Sequence, residues 1–114
     1  MTPAEMPIFT STFDFLSWLL PITNNFPRAH RHTLTQRLLD AAFDLRERLE
    51  EANQRQGRRR ERLGDADTAL GLVRMYVRLA VRLGWLTTGQ YEHAASMLAE
   101  IGRLLGGWQK ATAG

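Results

Sequence analysis

Leu34-Thr35-Gln36-Arg37-Leu38-Leu39-Asp40-Ala41-Ala42-Phe43-Asp44-Leu45-Arg46-Glu47-Arg48-Leu49-Glu50-Glu51-Ala52 is the stretch that decides the fold. Leu34, Leu38, Ala41/Ala42, Leu45, Leu49 and Ala52 return at intervals of three and four. That spacing gathers apolar side chains along one side of a helix. Arg37, Asp40, Asp44, Arg46, Glu47, Arg48, Glu50 and Glu51 fill the remaining surface, with i,i+4 pairs of opposite sign available. The helix begins near His30 or Thr33.

The same period extends outward in both directions. Upstream, Thr12 reads as an N-cap with Asp14 in the first turn. Phe13, Leu16 and Leu20 then form an apolar face that Phe15, Trp18 and Leu19 widen. Pro21 kinks or ends this helix, and Asn24-Asn25-Phe26-Pro27 ends it otherwise. Downstream, residues 53–64 almost lose their apolar side chains, and five arginines crowd the eight positions from Arg55 to Arg62. They read as a connecting loop. Asp65 or Asp67 caps a third helix that buries Leu70, Val73, Val77 and Ala80/Val81, and Gly84 stops it. Thr87 or Thr88 begins a fourth, with Tyr91, Ala94/Ala95, Leu98, Ile101, Leu105 and Trp108 on its inner face.

No segment alternates as a strand does, so the expected class is all-α: an up-down-up-down four-helix bundle. It spans residues 12–110, between a flexible tail at 1–11 and a C-terminal tail at 111–114. The third and fourth helices are apolar over more than one face. Leu72, Met75, Tyr76, Leu79, Leu83 and Trp85 exceed what one bundle core needs, which points to burial against further copies of the chain.

Composition narrows the function classes. The chain has 114 residues, enough for one domain, and is 44% hydrophobic and 24% charged, as an ordinary globular protein is. It has no cysteine, which excludes a disulfide scaffold, a thiolate metal site and a cysteine nucleophile. The N-terminus lacks the basic start and apolar run of a signal peptide, and no stretch reaches the roughly 20 apolar residues that span a bilayer. A cytoplasmic protein without a membrane partner is expected. Fourteen of the 15 basic residues are arginine and only Lys110 is lysine, with a net charge of +3. Arginine suits bidentate contacts with phosphates and carboxylates. Codon usage in a GC-rich genome accounts for the same skew, and composition alone does not separate the two.

Two arginine clusters carry the case for an anionic partner. Arg74, Arg78 and Arg82, spaced by four, stack on one face of the third helix with no acid within four positions of any of them. Like charges at that spacing oppose one another, so the row calls either for acids from another helix or for an anion. Asp40, Asp44 and Glu100 are the candidate acids. The Arg55–Arg62 cluster, with Arg58, Arg59 and Arg60 at its centre, reads as a nucleic-acid contact or a solvated loop. In Arg28-Ala29-His30-Arg31-His32 the two histidines are two apart, poor spacing for a helical zinc site, and capping or anion contact fits better. The carboxylates at 40, 44, 47, 50 and 51 lie on a charged outer face without a positioned histidine, a glycine-rich phosphate loop or a nucleophile elbow. No catalytic residue, metal or cofactor is expected.

The C-terminal half also carries a resemblance. Asp67 and Gly71-Leu72-Val73-Arg74-Met75-Tyr76-Val77-Arg78-Leu79, followed by Ala99-Glu100-Ile101-Gly102-Arg103-Leu104-Leu105-Gly106-Gly107-Trp108, resemble the accessory variability determinant proteins of diversity-generating retroelements. Leu20-Pro21-Ile22 and Phe26-Pro27-Arg28-Ala29-His30 resemble that family's turn between the first two helices, and the likeness covers about residues 16–110. The broader superfamily comprises the four-helix proteins of bacterial ribosomal RNA intervening sequences, and a scaffold of that kind without a polymerase partner is the alternative.

The resemblance implies a non-enzymatic bacterial or phage protein that forms a homopentameric barrel. Such a protein binds the retroelement's reverse transcriptase and nucleic acid, RNA or DNA, through a basic surface and supports mutagenic retrohoming. Arg74 and Arg78 fall on the family's helix-three arginine positions, and Arg82 extends the row by periodicity. Arg28 joins them as an expected binding residue; Arg58, Arg59 and Arg60 do so on charge alone, since the Arg55–Arg62 loop matches nothing in the family. Gly102 and Gly106 are expected positions of close helix approach, and Glu100 with Arg103 a structural pair.

Overall fold

A computed structural model describes residues 6–113. Four long helices carry the chain: α1 (Pro7–Thr23), α2 (Gln36–Gln54), α3 (Arg59–Arg82) and α4 (Thr88–Ala113). No strand occurs among the described residues. α2 packs most extensively on α3, α3 on α4, and α1 closes the ring against α4 and α2. This arrangement fits the expected up-down-up-down bundle.

The core is the periodic set read from the sequence. Leu38, Leu45, Leu49 and Ala52 of α2 meet Leu63, Leu70, Val73 and Val77 of α3 in one cluster, each 1% exposed or less. Leu98, Ile101 and Leu105 of α4 and Phe15 and Leu19 of α1 complete it.

Helix starts differ from expectation in two places. α1 begins at Pro7 and not at Thr12, so residues 7–11 of the expected tail are helical, while residues 1–5 lie outside the described residues. Proline is at ease in the first turn, where its missing N–H had no partner to lose. Ile8 and Phe9 are buried and hold that turn to the core. Thr12 is therefore an interior residue, and its hydroxyl donates back to the Ile8 carbonyl (2.8 Å). Pro21 sits in the last turn, and the helix continues two residues past it.

The arginine-rich segment is the second difference. The connection between α2 and α3 is only Arg55–Arg58, not 53–64, and α3 starts at Arg59. Asp65 and Asp67 are interior positions of α3 and cap nothing. Arginine favours a helix intrinsically, and Arg58–Glu61 and Arg62–Asp65 pair at i,i+3 (both 3.1 Å). Arg59 also turns back to donate from Nε to the Ala52 carbonyl (2.9 Å), which satisfies the end of α2. Leu63 and Ala66, 1% and 0% exposed, anchor the added turns. At the other end α4 runs to Ala113, so 111–113 are helical and Gly114 lies outside the described residues.

The α3–α4 turn follows its sequence signals. Gly84 takes φ of +79°, its N–H bonds the Val81 carbonyl (3.0 Å), and Trp85 N–H reaches the Ala80 carbonyl (2.9 Å). That is a Schellman stop, which glycine adopts without strain. Thr87 and Gln90 then form a reciprocal capping box, with bonds of 2.9 and 3.0 Å between each side chain and the other's N–H.

The register of α3 makes a sharp expectation. Leu70→Ala, at a position 1% exposed, should cost about 2–5 kcal/mol in urea denaturation. Leu72→Ala, 41% exposed and two residues on, should change stability by about 0.5 kcal/mol or less. Equal costs would contradict this register.

Candidate nucleic-acid interface

Three faces share α3. Leu70, Val73, Val77 and Ala80 point into the core. Arg74, Arg78 and Arg82 occupy the next face, all exposed, and Leu72, Met75, Leu79 and Leu83 form an exposed apolar stripe beyond them, 41–50% accessible. At about 100° per residue the arginine row lies between the core face and the apolar stripe.

None of the three arginines forms an ion pair among the described residues, and neither do Asp40 and Asp44. Glu100 is taken by Arg103, as expected, with bonds of 2.6 and 3.0 Å. That guanidinium holds the Glu100 carboxyl below the usual carboxylate range. Inter-helix acids therefore do not neutralise the row.

Arg74 is nonetheless held in place. Its Nη2 donates to the Leu98 carbonyl of α4 (3.3 Å), and the guanidinium fills the space that a Cβ at residue 102 would need. Gly102 was expected to let helices approach; what it admits is the Arg74 side chain. Arg74 and Arg78 wall a shallow groove of about 140 Å³ between α3 and α4, floored by Tyr91, Ala95, Leu98 and Ala99. Guanidinium donors above a floor of small side chains suit phosphate oxygens and give a strand backbone close access. The larger α1–α4 cleft, about 460 Å³, carries Asp14 and Glu100 and does not suit a polyanion.

The remaining expected binding residues lie elsewhere. Arg58 is engaged by Glu61, and Arg59 is committed to the end of α2 with its guanidinium 5.8 Å from the Trp108 ring centre. Arg60 is exposed and lines a small pocket with Leu63, Gln109 and Thr112. This cluster stands at the opposite end of α3 from the row, about 21 Å along the axis from Arg60 to Arg74 at roughly 1.5 Å per residue. Arg28 belongs to a separate pocket beside the start of α2. Among the described residues no group of three or more histidine, aspartate or glutamate side chains is placed to hold a metal ion. Nor is any helix long and apolar enough to cross a membrane.

Tyr91 packs partly against the core, as its spacing predicts, and it also lines the groove with Ala95 and Ala99, for which no such role is expected. Their signal was present, since Ala95, Ala99 and Gly102 recur at four and three on one side of α4.

The sequence model of the bAvd-like family, the bacterial accessory variability determinants, matches residues 8–112. The chain belongs to the bAvd-like family. No curated protein matches it. In this bAvd-like chain the matched region takes in all four helices except Pro7 and Ala113, so the basic groove lies wholly within it.

The Arg74–Gly102 fit has a direct test. Gly102→Ala displaces the guanidinium, while the gain in helix propensity offsets the broken hydrogen bond, so net stability should stay within about 1 kcal/mol. Arg74→Ala should then cost less in the Gly102→Ala background than in the parent, with a coupling of about 0.5–1.5 kcal/mol in a double-mutant cycle. Strict additivity would refute the fit.

Proposed function

We propose that this chain is the non-catalytic accessory subunit of a diversity-generating retroelement. In this reading it assembles as a homopentamer whose basic surface binds the reverse transcriptase and the template RNA or its cDNA during mutagenic copying. The observation that carries the binding part is the row Arg74, Arg78 and Arg82, exposed and without an acidic partner in a chain that matches the bAvd-like family. A basic ridge without a base-reading element binds phosphates and not sequence. One copy of three arginines is a weak ligand, whereas repetition around a ring multiplies the contacts a single strand engages.

The apolar stripe supports assembly. Leu72, Met75, Leu79 and Leu83 remain exposed, while Tyr76 and Trp85 pack partly against the core. The surplus lies on α3, since Tyr91, Met97, Leu104 and Trp108 of α4 are taken up by the same core. Phe13 and Leu20 of α1 and Phe43 of α2 add exposed apolar surface that helix periodicity had assigned to the interior or to no role. Light scattering should return a mass about five times the 13.0 kDa of the chain, and a monomer mass at micromolar concentration would end the ring proposal.

Arg78→Ala with Arg82→Ala leaves the Arg74 clamp intact and removes two unpaired charges. Anisotropy titration of a single-stranded RNA should show weaker binding and a shallower dependence of log K on log salt, by about 0.7 for each phosphate that the variant no longer neutralises. Unchanged affinity at about 50 mM salt, where such charges count most, would exclude the row as the binding surface. Co-purification of the reverse transcriptase with parent and variant chains tests the polymerase contact separately.

A further inference from the structure

We infer that the pocket between the end of α1 and the start of α2 is a binding site for a single phosphate group. It measures about 250 Å³, and its polar lining is Thr23, Asn24, Arg28, Arg31 and Thr35. Pro27 and Leu39 give it an apolar wall, and no aspartate or glutamate lines it.

The observation that points to a ligand is Thr35. Only 8% of the residue is exposed, and its hydroxyl oxygen has no hydrogen-bond partner. Threonine inside a helix ordinarily donates to the carbonyl four residues back. Thr12 does so to Ile8 at 2.8 Å and Thr68 to Gly64 at 3.3 Å. Thr35, the last residue of a π-helical turn over residues 31–35, does not. Such turns are rare and gather at functional sites, where they present groups that a regular helix would satisfy internally. A buried hydroxyl left without a partner is retained at a cost that a ligand oxygen removes.

Arg28 and Arg31 supply the charge. Both are exposed, and neither forms an ion pair among the described residues. Two planar guanidinium groups, a carboxamide and a hydroxyl offer more donors than the two oxygens of a carboxylate can use. The oxygens of a phosphate monoester match that set, and Pro27 with Leu39 can back the sugar it esterifies. The concave site takes one phosphate and not a run of them. It differs in this from the α3 groove and stands whether or not that groove binds nucleic acid.

Isothermal titration of the full chain with inorganic phosphate, against acetate at matched ionic strength, tests the site. Arg28→Ala and Arg31→Ala should each weaken phosphate binding about ten-fold, as loss of a charge-assisted hydrogen bond does. Thr35→Val should weaken it about three-fold while the melting temperature holds or rises. Arg78→Ala with Arg82→Ala should leave phosphate affinity unchanged, which separates this site from the proposed nucleic-acid surface. Equal binding of acetate, full affinity in Thr35→Val, a lowered melting temperature in that variant, or phosphate binding abolished only with Arg78 and Arg82 would each overturn the assignment. A nucleoside 5′-monophosphate and an oligonucleotide with and without a 5′-phosphate then distinguish the sources. Tighter binding of the mononucleotide assigns a free nucleotide, and preference for the phosphorylated strand assigns a strand end.

Discussion

α2 and α3 pack through leucines set among alanines, with Leu38, Leu45 and Leu49 beside Ala41, Ala42 and Ala52 on one helix and Leu63 and Leu70 beside Ala66, Ala69 and Ala80 on the other. Alanine at alternate contacts brings two axes close together, and the leucines then fill the space on either side. This contact fixes the rotation of α3 about its axis. Once Leu70, Val73 and Val77 face inward, helical geometry sends Arg74 and Arg78 toward α4, continues their row to Arg82, and turns Leu72, Met75, Leu79 and Leu83 outward. A different rotation would bury guanidinium groups with no acid to receive them, at a cost no other contact in a domain this small offsets.

Legibility followed the same logic. The period of α2 was plain because its apolar residues recur through nineteen positions from Leu34 to Ala52 without interruption. The α3–α4 turn was equally plain, since glycine in the left-handed region and a Thr-x-x-Gln box each carry a local physical reason. The starts of α1 and α3 were not, because a threonine or aspartate that would serve as a cap is chemically identical when it lies mid-helix. Thr12 bonds backward and Asp65 pairs with Arg62, and tertiary anchoring of Ile8, Phe9 and Leu63 carries each helix further. The position of Arg74 over Gly102 joins residues 28 apart, and the free hydroxyl of Thr35 stands at the end of a π-helical turn. Neither leaves a mark in local spacing.

The arginines divide by what satisfies them. Arg46, Arg48, Arg58, Arg62 and Arg103 meet carboxylates on their own or adjoining helix turns. These exposed pairs add little to stability, and they consume acids that would otherwise neutralise the rest. Arg59 and Arg74 donate instead to carbonyls, at the end of α2 and on α4, and so fix backbone against backbone. Among the described residues seven arginines are left without such a partner: Arg37, Arg55 and Arg60 singly at the surface, Arg78 at the groove with Arg82 one turn beyond it, and Arg28 with Arg31 in the pocket that Thr35 also lines. Arginine is thus put to structural use at Arg59, whose planar fork reaches the Ala52 and Asn53 carbonyls at once, as a point-like ammonium does less readily.

That division bears on how the surface works. Arg74 is pinned at its tip, so the groove keeps one defined donor wall even when empty, and a bound phosphate need order only Arg78. Ordering a long side chain costs binding free energy, and a clamp already held by Leu98 and seated over Gly102 reduces that cost at every copy. In the ring proposed above, a saving that is small in one protomer would accumulate, because each repeat would engage the strand with the same geometry. By leaving out a methyl group Gly102 sets where a guanidinium rests, and under the proposed function it would contribute to affinity although its own atoms need touch no ligand.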